Sequence, residues 1–261
     1  MPTFAANLTM LYTDSPFLER FARARASGFR FVEYLFPYEY EPHALARALE
    51  QNRLTQVLFN LPAGNWGAGD RGIAAHPDRV AEFRQGVARA VEFAAALRVK
   101  QINCLVGKRD ENVPLDEQRR VLVENLRYAA HALAEQGITL LIEHLNPYDV
   151  PGFMLVTPNA AFELQAQVDA PNLKIQYDIY HAQRTAGELA ATLQKNLARI
   201  AHIQIADNPG RHQPGTGEIN YRFLFDWIDR SGYTGYIGLE YAPQGTTEES
   251  LRWVSEYGYS L

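Results

Sequence analysis

Along the chain, short apolar runs of strand length alternate with longer segments in which apolar residues recur at helical spacing. The apolar runs fall at residues 3–8, 29–36, 54–60, 101–106, 139–145, 173–179, 200–206 and 236–240. The segments between them carry helix punctuation. Ser15-Pro16 and Thr157-Pro158 each pair a capping residue with a first-turn proline. Asp78 stands as a cap before a stripe of Phe83, Val87, Val91, Ala94 and Leu97. Further helices are predicted at about 42–52, 117–136 and 221–230, with Gly28 and Gly137 as stops. Thr185 with Glu188, and Thr246 with Glu249, have the spacing of capping boxes.

Eight strand-then-helix units result, with no composition shift or linker to divide them. Strands separated by helices run parallel, because each crossover returns the chain to the same end of the sheet. Eight such units in 261 residues predict an α/β fold, a single (β/α)₈ TIM barrel over residues 1–261. One connection is unusually long. Residues 61–77 are glycine-rich and carry Trp66, and a loop of this kind is expected to act as a lid or binding loop.

In such a barrel the chemistry lies at the C-terminal ends of the strands. Four runs carry a polar residue there: Glu143 in LLIEHLN, Asp178 in KIQYDIYH, Gln204 in HIQIAD and Glu240 in YIGLEY. Any one alone reads equally well as a hydrogen-bonded core group. Four at one level on neighbouring strands read differently, because three facing carboxylates repel unless protons or a cation neutralise them. Carboxylates with an amide carbonyl and no thiolate favour Mg²⁺ or Mn²⁺ over structural zinc. His181, three residues after Asp178, is placed to hydrogen-bond a substrate oxygen or orient a carboxylate. Past the seventh strand the turn Asp207-Asn208-Pro209-Gly210 brings Arg211 and His212 to the same edge. Both are candidates to receive a carboxylate, since a planar guanidinium pairs with one bidentately. Lys108 and Arg109, after the fourth strand, are weaker candidates for that task. Glu218 and His202 read as structural, and His43, His76 and His131 as helix or loop residues without a role. Phe59, Trp66 and Tyr241 could wall the site from water, although most aromatics here are core.

Composition narrows the function. The chain is 47% hydrophobic and 21% charged, ordinary for a globular enzyme, and its net charge of −5 speaks against a nucleic-acid or anionic-membrane partner. The one cysteine, Cys104, excludes an internal disulfide and reads as a small core residue. No signal-peptide pattern or bilayer-length apolar run occurs, so a cytoplasmic location is expected.

The segments FAANLTML, VEYLFPY, FNLPAGNWGAGDRGIA, INCLVGK, LLIEHLNPYDVPGF, NLKIQYDIYHAQR, HIQIADNPGRHQPGTGEINY and GLEYAP run nearly end to end. Through them the chain resembles the hydroxypyruvate isomerase family, in the larger xylose-isomerase-like group of barrels. The resemblance implies interconversion of hydroxypyruvate and 2-hydroxy-3-oxopropanoate (tartronate semialdehyde), a place in glyoxylate metabolism, no organic cofactor and a homo-oligomer. It also implies that Glu143, Asp178, Gln204 and Glu240 bind the metal, with Glu143 and Glu240 the catalytic pair. The expected partner is a small hydroxy keto acid.

Three rival readings follow. A 2-oxo-tetronate isomerase or a ketose 3-epimerase would share the metal site and the two-glutamate logic, although the epimerases place histidine where this chain has Gln204. A metal-dependent phosphoesterase resembling endonuclease IV would need many histidines at the strand ends, and DNA binding needs basic surface. A non-catalytic sugar-acid binder would not need both glutamates.

Overall fold

In the computed structural model, which describes residues 2–261, eight parallel strands close into a barrel in sequence order. The strands are β1 (Thr3–Asn7), β2 (Phe31–Glu33), β3 (Thr55–Asn60), β4 (Gln101–Cys104), β5 (Thr139–Glu143), β6 (Leu173–Asp178), β7 (Ile200–Ile205) and β8 (Tyr236–Leu239). The ring closes where Thr3–Ala6 pair with Tyr236–Leu239. Outside it lie α1 (Arg20–Ala26), α2 (Pro42–Gln51), α3 (Val80–Leu97), α4 (Leu115–Ala134) and α5 (Pro158–Val168). After β6 the crossover is split into α6 (Ile179–Gln183) and α7 (Leu189–Asn196); α8 (Tyr221–Arg230), α9 (Thr247–Ser250) and α10 (Arg252–Glu256) complete the layer. The predicted architecture is present, and no described helix is long and apolar enough to cross a membrane.

Alternation along each strand builds two cores. Outward residues such as Phe4, Ile102, Ile142, Ile175, Ile203 and Ile237 join the helices in one large apolar cluster. Inward residues Ala5, Leu58 and Leu141, with Phe31 and Tyr236 packed on them, form a separate plug in the barrel. Two residues further along three of these strands, the inward positions are Asn7, Asn60 and Glu143, all buried.

The strands end earlier than their apolar runs. Val106 and Leu145 remain buried although the ladder stops at Cys104 and Glu143, because the chain above the barrel still packs against other loops. Cys104 is a buried core residue, as expected, and burial pushes its thiol up to about 12. Thr157 caps α5 by accepting from Ala160 N, and the Thr246–Glu249 capping box forms in both directions. The Thr185–Glu188 box does not form. Thr185 Oγ1 instead donates back to His181 O at 3.0 Å, and Glu188 sits at φ 48° outside α7. Asp78 lies within a 3₁₀ turn, Pro77–Arg79, and does not cap α3. Ser15 likewise leaves its helix uncapped, because its hydroxyl accepts from Arg23 Nη1.

Candidate active site

Every strand delivers a buried polar side chain near its C-terminal end: Asn7, Glu33, Asn60, Asn103, Glu143, Asp178, Gln204 and, one residue past β8, Glu240. They are cross-linked around the barrel. Asn7 Nδ2 donates to Glu33 Oε1 at 3.0 Å and approaches Glu240 Oε1 at 3.5 Å. Asn103 Nδ2 donates to Asn60 Oδ1 at 3.2 Å and to Glu143 Oε2 at 3.1 Å. Gln204 is held at both ends of its amide. Its Nε2 donates to Glu33 Oε1 at 2.8 Å, and its Oε1 accepts from Gln176 Nε2 at 2.6 Å.

Within this ring, Glu143, Asp178, His181 and Glu240 each bring one ligand atom to within 4.8 Å of the others, the one such cluster among the described residues. Burial raises all three carboxyl groups. Glu143 lies well above the carboxylate range, pushed further by Glu240 and Asp178. Asp178 is raised by burial while Arg211 opposes it. Glu240 is raised to about 7, again by burial, although the Arg211 guanidinium holds it down. Asp178 Oδ2 is buried without a hydrogen-bond partner. An orphaned carboxylate oxygen among three mutually repelling carboxyls fits a divalent cation, which would satisfy the one and neutralise the others.

His181 reaches the cluster as a hydrogen-bond donor. Asn146 Oδ1 accepts from Tyr148 N and Asp149 N, both at 3.0 Å, which turns its Nδ2 toward the ring. His181 Nδ1 therefore accepts from Asn146 Nδ2 at 2.6 Å and from Asn146 N at 3.2 Å. Burial, helped by Arg211 and His144, lowers this histidine well below its ordinary value, so the ring is neutral. A neutral imidazole with an accepting Nδ1 carries its proton on Nε2.

A cavity of about 350 Å³ opens onto the cluster, lined by Glu143, His181, Arg211 and Glu240 from the strand ends and by Trp66 and Arg71 from the long loop. A larger groove of about 560 Å³ lies on the outer surface between α4 and α5, where no such cluster of carboxylates and histidine converges. The structure brings Glu143, Asp178, His181, Arg211 and Glu240 together; Gln204 stands beside Asp178 in register on β7 but does not line the cavity, and the rest are separated from the cluster. His212 does not line the cavity; its Nδ1 lies 2.7 Å from Ala242 O and its ring packs over Gly210. Arg109 lines the outer groove, and Lys108 bridges to Phe153 in a short antiparallel contact. Glu218 bonds Asn208 and Gln183, a structural role. His202 is also structural: it is buried with Nε2 at 2.7 Å from Glu33 Oε2, an ion-pair approach without hydrogen-bond alignment. Of the three aromatics, only Trp66 lines the cavity. Glu33 and Arg71 were not singled out from the sequence. Glu33 carries the same signal as the four chosen residues, a polar side chain in an apolar run, whereas nothing in the loop's composition points to Arg71.

Residues 21–257 match the family described as xylose isomerase-like TIM barrel. The chain belongs to this family. Within it, the chain is 52% identical to a hydroxypyruvate isomerase of Escherichia coli K12, over 98% of this chain and all of that one. It is 45% identical to a 2-oxo-tetronate isomerase of Cupriavidus necator, over 98% of this chain and 99% of that one. A solved structure from Brucella melitensis, described as an AP endonuclease of family 2, superposes with a TM-score of 0.96 at 44% identity, over 98% of this chain and 99% of that one.

Proposed function

We propose that this barrel interconverts hydroxypyruvate and 2-hydroxy-3-oxopropanoate, with Glu143 and Glu240 as the catalytic pair. The observation that carries the reading is the cluster itself. Two buried, raised carboxyls from β5 and the end of β8 flank one small cavity, with a third carboxylate and a neutral histidine donor between them. The 52% identity to the Escherichia coli hydroxypyruvate isomerase supports the substrate.

Glu143, Asp178, Gln204 and Glu240 would hold the cation, Mg²⁺ or Mn²⁺ by the oxygen character of the set. When bound, such an ion supplies Lewis acidity worth several kcal/mol to the enediolate. The chain's own residues do the rest. The reaction moves a carbonyl from C2 to C3, so one glutamate takes a proton from C3 and a proton is returned at C2. Asn103 fixes one oxygen of Glu143, and Arg211 Nη2 fixes Glu240 Oε2 at 2.6 Å, so each carboxylate meets the substrate in one orientation. His181 Nε2–H donates to a substrate oxygen without being consumed as an acid. Gln204, tied by Glu33 and Gln176, keeps its carbonyl oxygen directed by two neighbours, with a second lone pair to offer.

The test is turnover of hydroxypyruvate by purified protein, before and after chelation, with Mg²⁺ or Mn²⁺ restored. Glu143→Gln and Glu240→Gln are each expected to lower kcat by at least about 100-fold. Turnover that survives both substitutions refutes the mechanism. A four-carbon substrate is the second reading, favoured by the 45% identity to a 2-oxo-tetronate isomerase. Faster turnover of 2-oxo-tetronate than of hydroxypyruvate would select it. The endonuclease description of the Brucella melitensis structure does not fit this cluster, which holds one histidine and three carboxylates. Cleavage of abasic DNA by the purified protein would overturn the isomerase reading.

A further inference from the structure

A carboxylate substrate entering a largely buried cavity needs a cation to meet it. The charge of a metal held by Glu143 and Glu240 is offset by those carboxylates, so the substrate's carboxylate still calls for a basic side chain that no acid has neutralised. Arg71 and Arg211 are the two arginines lining the cavity, and no lysine does. Arg211 is committed. It pairs with Glu240 at 2.6 Å and lies 3.6 Å from Asp149, with its guanidinium over the Tyr180 ring.

Arg71 is not. Its Nη1 donates to the carbonyls of Trp66 at 3.2 Å and Asp70 at 2.6 Å. Among the described residues it makes no ion pair, and its Nε and Nη2 have no hydrogen-bond acceptor. The adjacent Asp70 does not neutralise it, because Asp70 Oδ2 is taken by Asn65 N at 2.7 Å and by Arg79 Nη1 at 2.8 Å. The guanidinium lies with Cζ 3.8 Å from the centroid of the Trp66 ring, and Trp66 in turn packs on Phe36 at 5.1 Å. The loop that carries it is anchored to the barrel. Gly72 has φ +105°, and a Cβ there would stand 1.9 Å from Leu105 O, so only glycine lets the backbone press onto the chain leaving β4. An anchored backbone, a guanidinium lying over an aromatic ring and an unoccupied Nε–Nη2 edge together make a preorganised fork for a carboxylate.

We infer that Arg71 receives the substrate's carboxylate and thereby selects small hydroxy acids over neutral sugars of the same size. The identity of the acid rests on the isomerase reading above; the anion site does not. The long loop is then a binding loop, and it performs the task that the sequence suggests for Arg211 and His212.

The experiment compares the metal-loaded wild type with Arg71→Ala and Arg71→Lys. Calorimetry measures binding of D-glycerate, a three-carbon hydroxy acid, and of glycerol, its neutral counterpart. Arg71→Ala is expected to weaken glycerate binding by about tenfold or more, and to raise the KM for hydroxypyruvate by a similar factor with little change in kcat. Glycerol binding stays as in the wild type. Arg71→Lys restores part of the affinity, since it keeps the charge and loses the fork. Unchanged glycerate affinity in Arg71→Ala overturns the inference, as does an equal loss for glycerol. A wild type that binds glycerate through Arg71 but does not isomerise hydroxypyruvate removes the isomerase reading and leaves the clamp standing.

Discussion

With no cation bound, raising the pH charges three buried carboxyls against one another, and the cost follows from Glu240. Its carboxyl rises from an ordinary 4.5 to about 7 in the folded chain, and the residue is only 4% exposed, so solvent does little to reduce the effect. The sign is fixed by linkage. Between those two values the unfolded chain has released its proton while the folded chain still holds it, so stability falls as pH rises. The loss begins near pH 4.5 and is complete above pH 7. At about 1.4 kcal/mol per pH unit, Glu240 alone accounts for a loss of about 3 kcal/mol. Burial raises Glu143 and Asp178 as well, so they add in the same direction.

Part of that loss is already complete at pH 5, which leaves about 2.5 kcal/mol between pH 5 and pH 8. For a chain of this size each kcal/mol moves Tm by about 2–4 °C, so the chelated protein should melt about 5–10 °C lower at pH 8 than at pH 5 from this residue alone. A cation reverses the effect, by about 2.7 kcal/mol at one hundred times its Kd, and more strongly at high pH because the ligands must be deprotonated. Differential scanning calorimetry of chelated and Mg²⁺- or Mn²⁺-loaded protein across that range is the assay. Glu240→Gln is the control, because it removes one titrating group and relieves its neighbours. A chelated wild type whose Tm does not fall between pH 5 and pH 8, or falls equally in Glu240→Gln, would refute the reasoning.

Three further outcomes test the supports around the cluster. Arg211→Met removes the guanidinium that holds Glu240 down, so the acid limb of kcat/KM against pH should move to higher pH; an unmoved limb contradicts the pairing. In Gly238→Ala the new Cβ would lie 2.3 Å from Glu33 Oε1, and Glu33 cannot swing away while it accepts from Asn7 and Gln204. The expected cost in urea denaturation is about 1–3 kcal/mol, and a wild-type midpoint would show that the ring yields. Asn146→Asp replaces the Nδ2 donor at His181 Nδ1 with a carboxylate oxygen, so ¹⁵N NMR should show loss of the Nε2–H neutral form together with a fall in kcat. The wild-type tautomer persisting with reduced kcat would assign Asn146 a purely structural role.

The four strand-end residues were legible in the sequence because each is polar inside an apolar run. The same signal was present at Asn7, Asn60 and Asn103, but asparagine at the end of a strand is also an ordinary turn former, and one chain cannot separate the two roles. Glu33 carries that signal too, but β2 is only three residues long, so the apolar stretch 29–36 does not mark where the strand ends. The capping box at Thr185 does not form because α7 starts only at Leu189, with Glu188 itself at its N-cap position in a left-handed conformation, so Thr185 stands three residues ahead of the cap. Arg211 and His212 are adjacent, yet one lines the cavity and the other packs on Gly210, because Arg211 turns the chain at φ +55°.

Periodicity therefore reports the height of a side chain in the barrel and which face it takes. It does not report the partner across the barrel, and the partner decides the chemistry. Gln204 offers an oriented carbonyl only because Glu33, 171 residues away in the chain, accepts from its nitrogen. Glu240 is poised near neutrality only because burial and its acidic neighbours raise it while Arg211 holds it down. A reading confined to one strand at a time finds the charges of such a site and misses the balance among them, since that balance exists only once β8 has closed on β1.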